Sequence, residues 1–306
     1  MDKMVKKVEE LAKKFAERLA EEGYYPDIRP GYKLNMGPEA LAITCKKNKD
    51  DRIAPTISIT KDHVLAIENG RTTEEDYFVE GIEIFRNAFE SEQYKNSSSV
   101  ARAIEKFENR DDFLEGIAAF IYNHNVNKNP GFVHKKLNDE LSVMVRYLVP
   151  EAEGSIPITK AQLEHIGVTE KELFETAIKN SPVINPPRIV SMNDILRQKG
   201  CWMPVDLRGL EKFLVINTVN CEQGAVAILY NGVADAIRER LGEDFFIIPS
   251  SLNEVIVLPI SMLEERKVDD LKAMIMDVNK TVLPSTEYLS DRPYVIRDGR
   301  LEELAG

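Results

Sequence analysis

The stretch from Phe213 to Pro259, FLVINTVNCEQGAVAILYNGVADAIRERLGEDFFIIPSSLNEVIVLP, constrains the fold more than any other part of the chain. An apolar, β-prone run at Phe213–Ile216 leads through a polar turn into a helix that ends at Leu241-Gly242. Two further apolar runs, Phe245–Ile248 and Val255–Leu258, flank the turn residues Pro249-Ser250-Ser251-Leu252-Asn253-Glu254. Runs this short, bounded by proline, serine and asparagine, read as strands joined by a turn. Downstream, Glu264–Lys280 places Val268, Leu271, Met274, Ile275 and Val278 on one helical face, and Arg292–Ile296 supplies a last strand. From Phe213 onward the order is βαββαβ, which permits a ferredoxin-like sheet with both helices on one face, among other α+β sandwiches.

Upstream, Lys3–Glu22 carries Met4, Val5, Val8, Leu11, Ala12, Phe15 and Leu19 at helical spacing and stops at Gly23. Its polar side mixes lysine with glutamate, which suits a helix packed on a core rather than one lying on lipid. Strands are expected at 24–35, 40–46 and 53–59, and a helix capped by Thr72 or Thr73 is expected to face a core with Phe78, Ile82, Ile84, Phe85 and Phe89. Helical patterns follow at 100–107 and 111–122, and an asparagine-rich exit runs from Tyr122 to Gly131. Leu141–Val149 and Ser155–Ile158 read as strands, Thr159–Ile166 and Thr169–Asn180 as helices, and Pro182, Pro186 and Pro187 as breaks before a short helix at 191–198. The expected architecture is α+β: an amino-terminal helix-flanked antiparallel sheet with a helical middle (1–182), a linker with a short helix (183–210), and a carboxy-terminal βαββαβ domain (211–306).

A chain of 306 residues suits about two domains, and 43% hydrophobic with 30% charged residues is a globular composition. The net charge of −11 opposes association with a phosphate backbone, and Lys46-Lys47-Asn48-Lys49 is followed at once by Asp50-Asp51, so nucleic acid is not an expected partner. Cys45, Cys201 and Cys221 are odd in number and widely spaced, which fits a reducing cytoplasm and neither a disulfide framework nor a zinc ribbon. No apolar run reaches the length of a membrane span, so a cytoplasmic protein with no membrane partner is expected.

Several segments together are similar to a bacterial family, found mainly in Firmicutes, catalogued as domain of unknown function 5688. They are the strand, polar turn, Gly224-Ala225 step and helix, the Pro249-Ser250-Ser251 hairpin with Glu254-Val255, and the tail Leu289-Ser290-Asp291 followed by Tyr294. Ala54-Pro55-Thr56-Ile57, the asparagines near Asn123 and Gly167–Phe174 extend the resemblance over nearly the whole chain. The resemblance implies a family name and no known activity. Members often carry histidine where this chain has Asn253, and threonine near the strand end where it reads Asn217 before Thr218; were that histidine catalytic elsewhere, this protein would lack it.

The candidate chemistry gathers at the hairpin. Ser250, Ser251 and Glu254 are the catalytic candidates, and Asn217, Cys221 and Asn253 the binding candidates. A serine nucleophile needs a positioned base, yet His63, His124, His134 and His165 are all distant in sequence and no GxSxG elbow exists. His124 and His134, with Asp139 and Glu140 behind them, match no metal-ligand signature, and no phosphate-binding glycine loop is present. Neither cofactor nor metal is expected. The expected role is a non-catalytic protein-interaction or regulatory module with a protein partner. The alternatives are a hydrolase or transferase using the Ser250–Glu254 hairpin, and an acidic decoy of a nucleic-acid-binding protein.

Overall fold

The computed structural model describes residues 3–31, 34–35, 37, 40–51, 54–91, 94, 102, 105–127, 131–149, 154–198, 209–263 and 267–305. The expected Cys201 and Trp202 segment lies outside them. The protein is α+β, and it divides into two compact units: 1–106 with 126–130 and 150–154, and the remainder from 107 to 306.

In the first unit, helix α1 (Lys3–Glu21) lies against the sheet β1 (Tyr25–Pro30), β2 (Leu41–Lys46), β3 (Thr56–Ile59), an antiparallel meander in that order. The apolar stripe of α1 is buried at Val8, Leu11, Phe15 and Leu19. Helix α3 (Glu74–Glu90) begins at Thr73, whose hydroxyl accepts from the Asp76 amide, and packs Phe78 flat on Phe15 with centroids 5.2 Å apart. A Cβ at Gly81 would stand 2.4 Å from the Phe15 ring, so the absence of a side chain there sets how close α3 comes. Between these elements lies α2 (Lys61–Glu68), a helix that the sequence pattern does not announce because Val64 is its one fully buried residue.

The second unit holds two sheets. In the first, β4 (Ile117–Asn123) and β6 (Leu141–Val149) pair centrally, with β5 (His134–Lys136) and β7 (Gly154–Pro157) both on β6. The expected helix at 111–122 is therefore corrected. A short helix α4 (Arg110–Glu115) ends at Gly116, and the apolar run that follows is a strand buried on both faces. Such a run has no alternation to distinguish it from a buried helix. Helices α5 (Lys160–Ile166) and α6 (Glu170–Ile184) follow, and α6 continues through Pro182, which the sequence reading took as a break. Its last turn is tied to the sheet: the Ser181 hydroxyl donates to the Ala177 carbonyl at 2.6 Å and accepts from the Ala119 amide at 2.8 Å.

The six-stranded sheet runs β13-β12-β10-β11-β9-β8, all antiparallel. Its strands are β8 (Pro187–Ser191), β9 (Leu214–Thr218), β10 (Phe245–Pro249), β11 (Val255–Pro259), β12 (Tyr294–Arg297) and β13 (Arg300–Glu303). Helix α7 (Met192–Gln198) follows β8, α8 (Val233–Leu241) lies between β9 and β10, and α9 (Val268–Thr281) between β11 and β12. The βαββαβ succession stands. Its arrangement differs from a ferredoxin-like sheet, because β12 joins beside β10 and β8 occupies the free side of β9. The helices also take opposite faces. Leu271 and Ile275 of α9 pack with Phe246, Leu258 and Val295, whereas Arg238 of α8 lies over Phe245, which points the other way along β10. No helix of the described residues is long and apolar enough to cross a membrane.

Helix α2 yields a pH prediction. The Thr60 amide donates to His63 Nδ1 at 3.1 Å, which requires that nitrogen to be unprotonated, and burial lowers the pKa of the ring. A depressed histidine pKa gives stability that is present above its unfolded value of about 6.5 and lost as pH falls through the folded value. His63→Gln keeps an acceptor at this position. Thermal melts of the variant should lose less stability than the wild type between pH 7 and pH 5, and equal losses would contradict the assignment.

Candidate functional site

The second unit brings the predicted residues together in part. At the end of β9, Asn217 Nδ2 lies 3.7 Å from Cys221 Sγ, and the hairpin side chain Asn253 accepts the Gln223 amide through Oδ1 at 2.9 Å. Asn217, Cys221 and Asn253 thus border one loop, 219–224. Ser251 is 5% exposed and its hydroxyl accepts from the Asn253 amide at 3.0 Å, which folds the turn tightly. Ser250 and Glu254 flank this turn half-buried. Three of the four histidines engage other groups: His63 with Thr60, His124 with Ser142 at 3.0 Å, and His134 with the Phe132 carbonyl at 3.3 Å. Burial lowers the pKa of His124 and the nearby Lys136 charge adds to the effect. Among the described residues, no group of three or more His, Cys, Asp or Glu side chains is placed to hold a metal ion.

The loop itself is strained. Cys221 (φ 56°) and Gln223 (φ 47°) both occupy the left-handed region, where a side chain costs about 1–2 kcal/mol. Gly224 follows in a space with no room for a methyl group: a Cβ would stand 2.6 Å from the Thr218 amide nitrogen and 2.8 Å from the Asn253 carbonyl oxygen. The oxygens Asn217 Oδ1 and Gln223 Oε1 are buried without a hydrogen-bond partner.

A larger feature has no counterpart in the sequence reading. A half-open groove of about 1050 Å³ runs over the second unit, with Val143, Phe174, Ile228, Tyr230 and Leu301 among its lining residues. These are buried and apolar apart from the tyrosine hydroxyl, whose pKa burial pushes up to about 12 with the Ser181 side chain against it. Lys135, Lys171 and Arg238 supply positive charge around the groove, and Glu175, Asp235 and Asp298 negative charge. Arg238 is fixed there by Asp244 at 2.8 Å, Asp235 at 3.2 Å and the Ile296 carbonyl at 3.4 Å.

Elsewhere in the second unit Glu140, 8% exposed, joins its two sheets. Its Oε1 accepts from Asn123 Nδ2 at 2.8 Å, and its Oε2 from the hydroxyls of Ser290 at 2.5 Å and Tyr294 at 2.7 Å, with Arg292 Nε 3.7 Å away. Burial and the adjacent carboxylate hold the Tyr294 phenol well above its ordinary pKa. Asn123 Nδ2 also reaches the Leu289 carbonyl at 2.9 Å. The Leu289-Ser290-Asp291 and Tyr294 tail, and the asparagine cluster near Asn123, therefore meet at one buried carboxylate. The cluster sits at a strand end, where the sequence reading expected a helix exit.

The profile of a family of unknown function (DUF5688) matches residues 4–297, so the chain belongs to this family. No curated protein and no solved structure matches it.

Adjacent positions of the strained loop should respond oppositely to substitution. Gly224→Ala forces its methyl against backbone atoms and should cost about 2–3 kcal/mol. Gln223→Gly relieves a left-handed side chain and removes an orphaned oxygen, and should gain about 1 kcal/mol. Urea unfolding of both variants checks this, and the same sign for both would contradict the account of the loop.

Proposed function

We propose that this DUF5688 protein is a non-catalytic interaction or regulatory module that holds a segment of a protein partner in the groove of its second unit. The observation that carries the reading is the groove itself. Its volume is at the upper end of what small-molecule pockets reach. An apolar floor with charges of both signs at its margins suits a peptide chain, whose side chains supply apolar area and whose flanking residues pair with the rim. Cys45 and Cys221 are unpaired thiols, which supports placing the protein in a reducing bacterial cytoplasm.

Ile178 and Ala234 line the groove half-buried, so charge can be introduced there without opening the core. Tagged wild type, Ile178→Asp and Ala234→Glu, each with an unchanged thermal midpoint, are compared by affinity capture from the native host. The reading expects one stoichiometric protein retained by wild type and reduced about tenfold or more by either charge, equivalent to about 1.4 kcal/mol. Retention undiminished by both charges, or co-purification of a small metabolite in place of a protein, would overturn it.

A further inference from the structure

Helix α9 buries Leu271 and Ile275 and turns a different row of side chains outward. Asp269, Ala273, Met276 and Lys280 recur at intervals of four, three and four, which returns them to one face of a helix and is the spacing of a coiled-coil seam. All four are exposed, Met276 to 54%. Polar side chains on the adjoining flank are held within the chain: Lys272 donates to Glu303 at 2.7 Å and Asn279 to Asp291 at 2.8 Å. Asp269 and Lys280 have no such side-chain partner among the described residues.

The row is complementary to itself. Laid antiparallel on a second copy, about a two-fold axis between Met274 and Ile275, it sets each Asp269 against the other copy's Lys280 and each Ala273 against the other copy's Met276, so every contact occurs twice. Opposite charges then meet at both ends, and at the centre a small methyl group faces a long, adaptable side chain. A parallel arrangement would set Asp269 on Asp269 and Lys280 on Lys280. The two signs also suit the macrodipole of a single helix, but that does not account for an exposed methionine between them.

We infer that this outward face of α9 is a homodimer interface, in which two copies of the chain pair antiparallel through Asp269, Ala273, Met276 and Lys280. The helix has 14 residues, and one pair of helices about 21 Å long falls short of the roughly 1,200 Å² that stable complexes bury. Asp270 and Asp277, beside the row, oppose each other across the axis, so the dimer dissociates on dilution. No residue of the row lines the groove, and the interface is therefore independent of the partner-binding reading.

Sedimentation equilibrium of the full chain between about 10 µM and about 1 mM tests the interface, and wild type should pass from monomer to dimer across that range. Asp269→Lys and Lys280→Glu should each weaken the dimer about tenfold or more, because each sets like charges opposite one another at two points. The double variant Asp269→Lys/Lys280→Glu should recover most of the wild-type association. Positions 269 and 280 lie about 16 Å apart along one helix, too far to pair within a chain, so recovery requires a second copy. Met276→Asp should abolish the dimer. If a charge variant does not fold by circular dichroism, Met276→Asp decides alone. Wild type monomeric throughout, a dimer that Met276→Asp or both single reversals leave intact, or a folded double variant without recovery would overturn the inference.

Discussion

The second unit depends on a single buried carboxylate. Glu140 stands where β6 begins, and its partners come from the end of β4 and from the segment that opens β12. A carboxylate removed from water is costly unless donors surround it, and here an amide, two hydroxyls and a nearby guanidinium do so. The cost of breaking this set exceeds what any one bond contributes, because the remaining groups would be left buried and unpaired. Arg292 continues the network outward to Glu303 at 2.7 Å, and Glu303 to Lys272 at 2.7 Å. Those two cations hold the Glu303 carboxyl below its usual range, the Lys272 hydrogen bond contributing most.

The groove follows from how the two sheets are held. Its lining comes from β5 and β6, from α6, from the 3-10 segment Gly224–Leu229 and α8, and from the β12–β13 hairpin. Asn138 adds a second tie, its amide donating to the Leu301 carbonyl at 3.3 Å. If the groove takes a partner segment as proposed, walls held by such ties would lower the ordering cost of binding relative to a flexible surface.

Much of this was legible in the chain, and the failures share a physical cause. The βαββαβ order was readable because β10 and β11 are short apolar runs bounded by Pro249 and Pro259, and because strands on either side of a helix bring their ends close. Asn217, Cys221 and Asn253 were each legible as candidates at the ends of these elements, but not their convergence on one loop. The strand β4 was misread as a helix because burial on both faces erased its alternation, and β13 was passed over because Arg300-Leu301-Glu302-Glu303 has one buried side chain. Glu140 was noticed only as a neighbour of two histidines, since nothing local marks a carboxylate that will be buried by residues about 150 positions away. The groove was invisible for the same reason: its walls come from segments separated by most of the second unit. The sheet order could not be read either, because the choice between β9 and β10 as neighbour of β12 depends on packing across the sheet and not on local pattern.

Amide hydrogen exchange on wild type and Glu140→Gln tests most directly whether this carboxylate organises the unit. In glutamine an NH2 group that donates and does not accept replaces one of the two carboxylate oxygens, so at least one of the surrounding donors loses its partner. The account predicts faster exchange at the ends of β4 and β6, across β12 and β13, and along the groove segments 228–235, with the first unit unchanged. Exchange unaltered at β12 and the groove would contradict it, and would leave Glu140 as one polar contact among many.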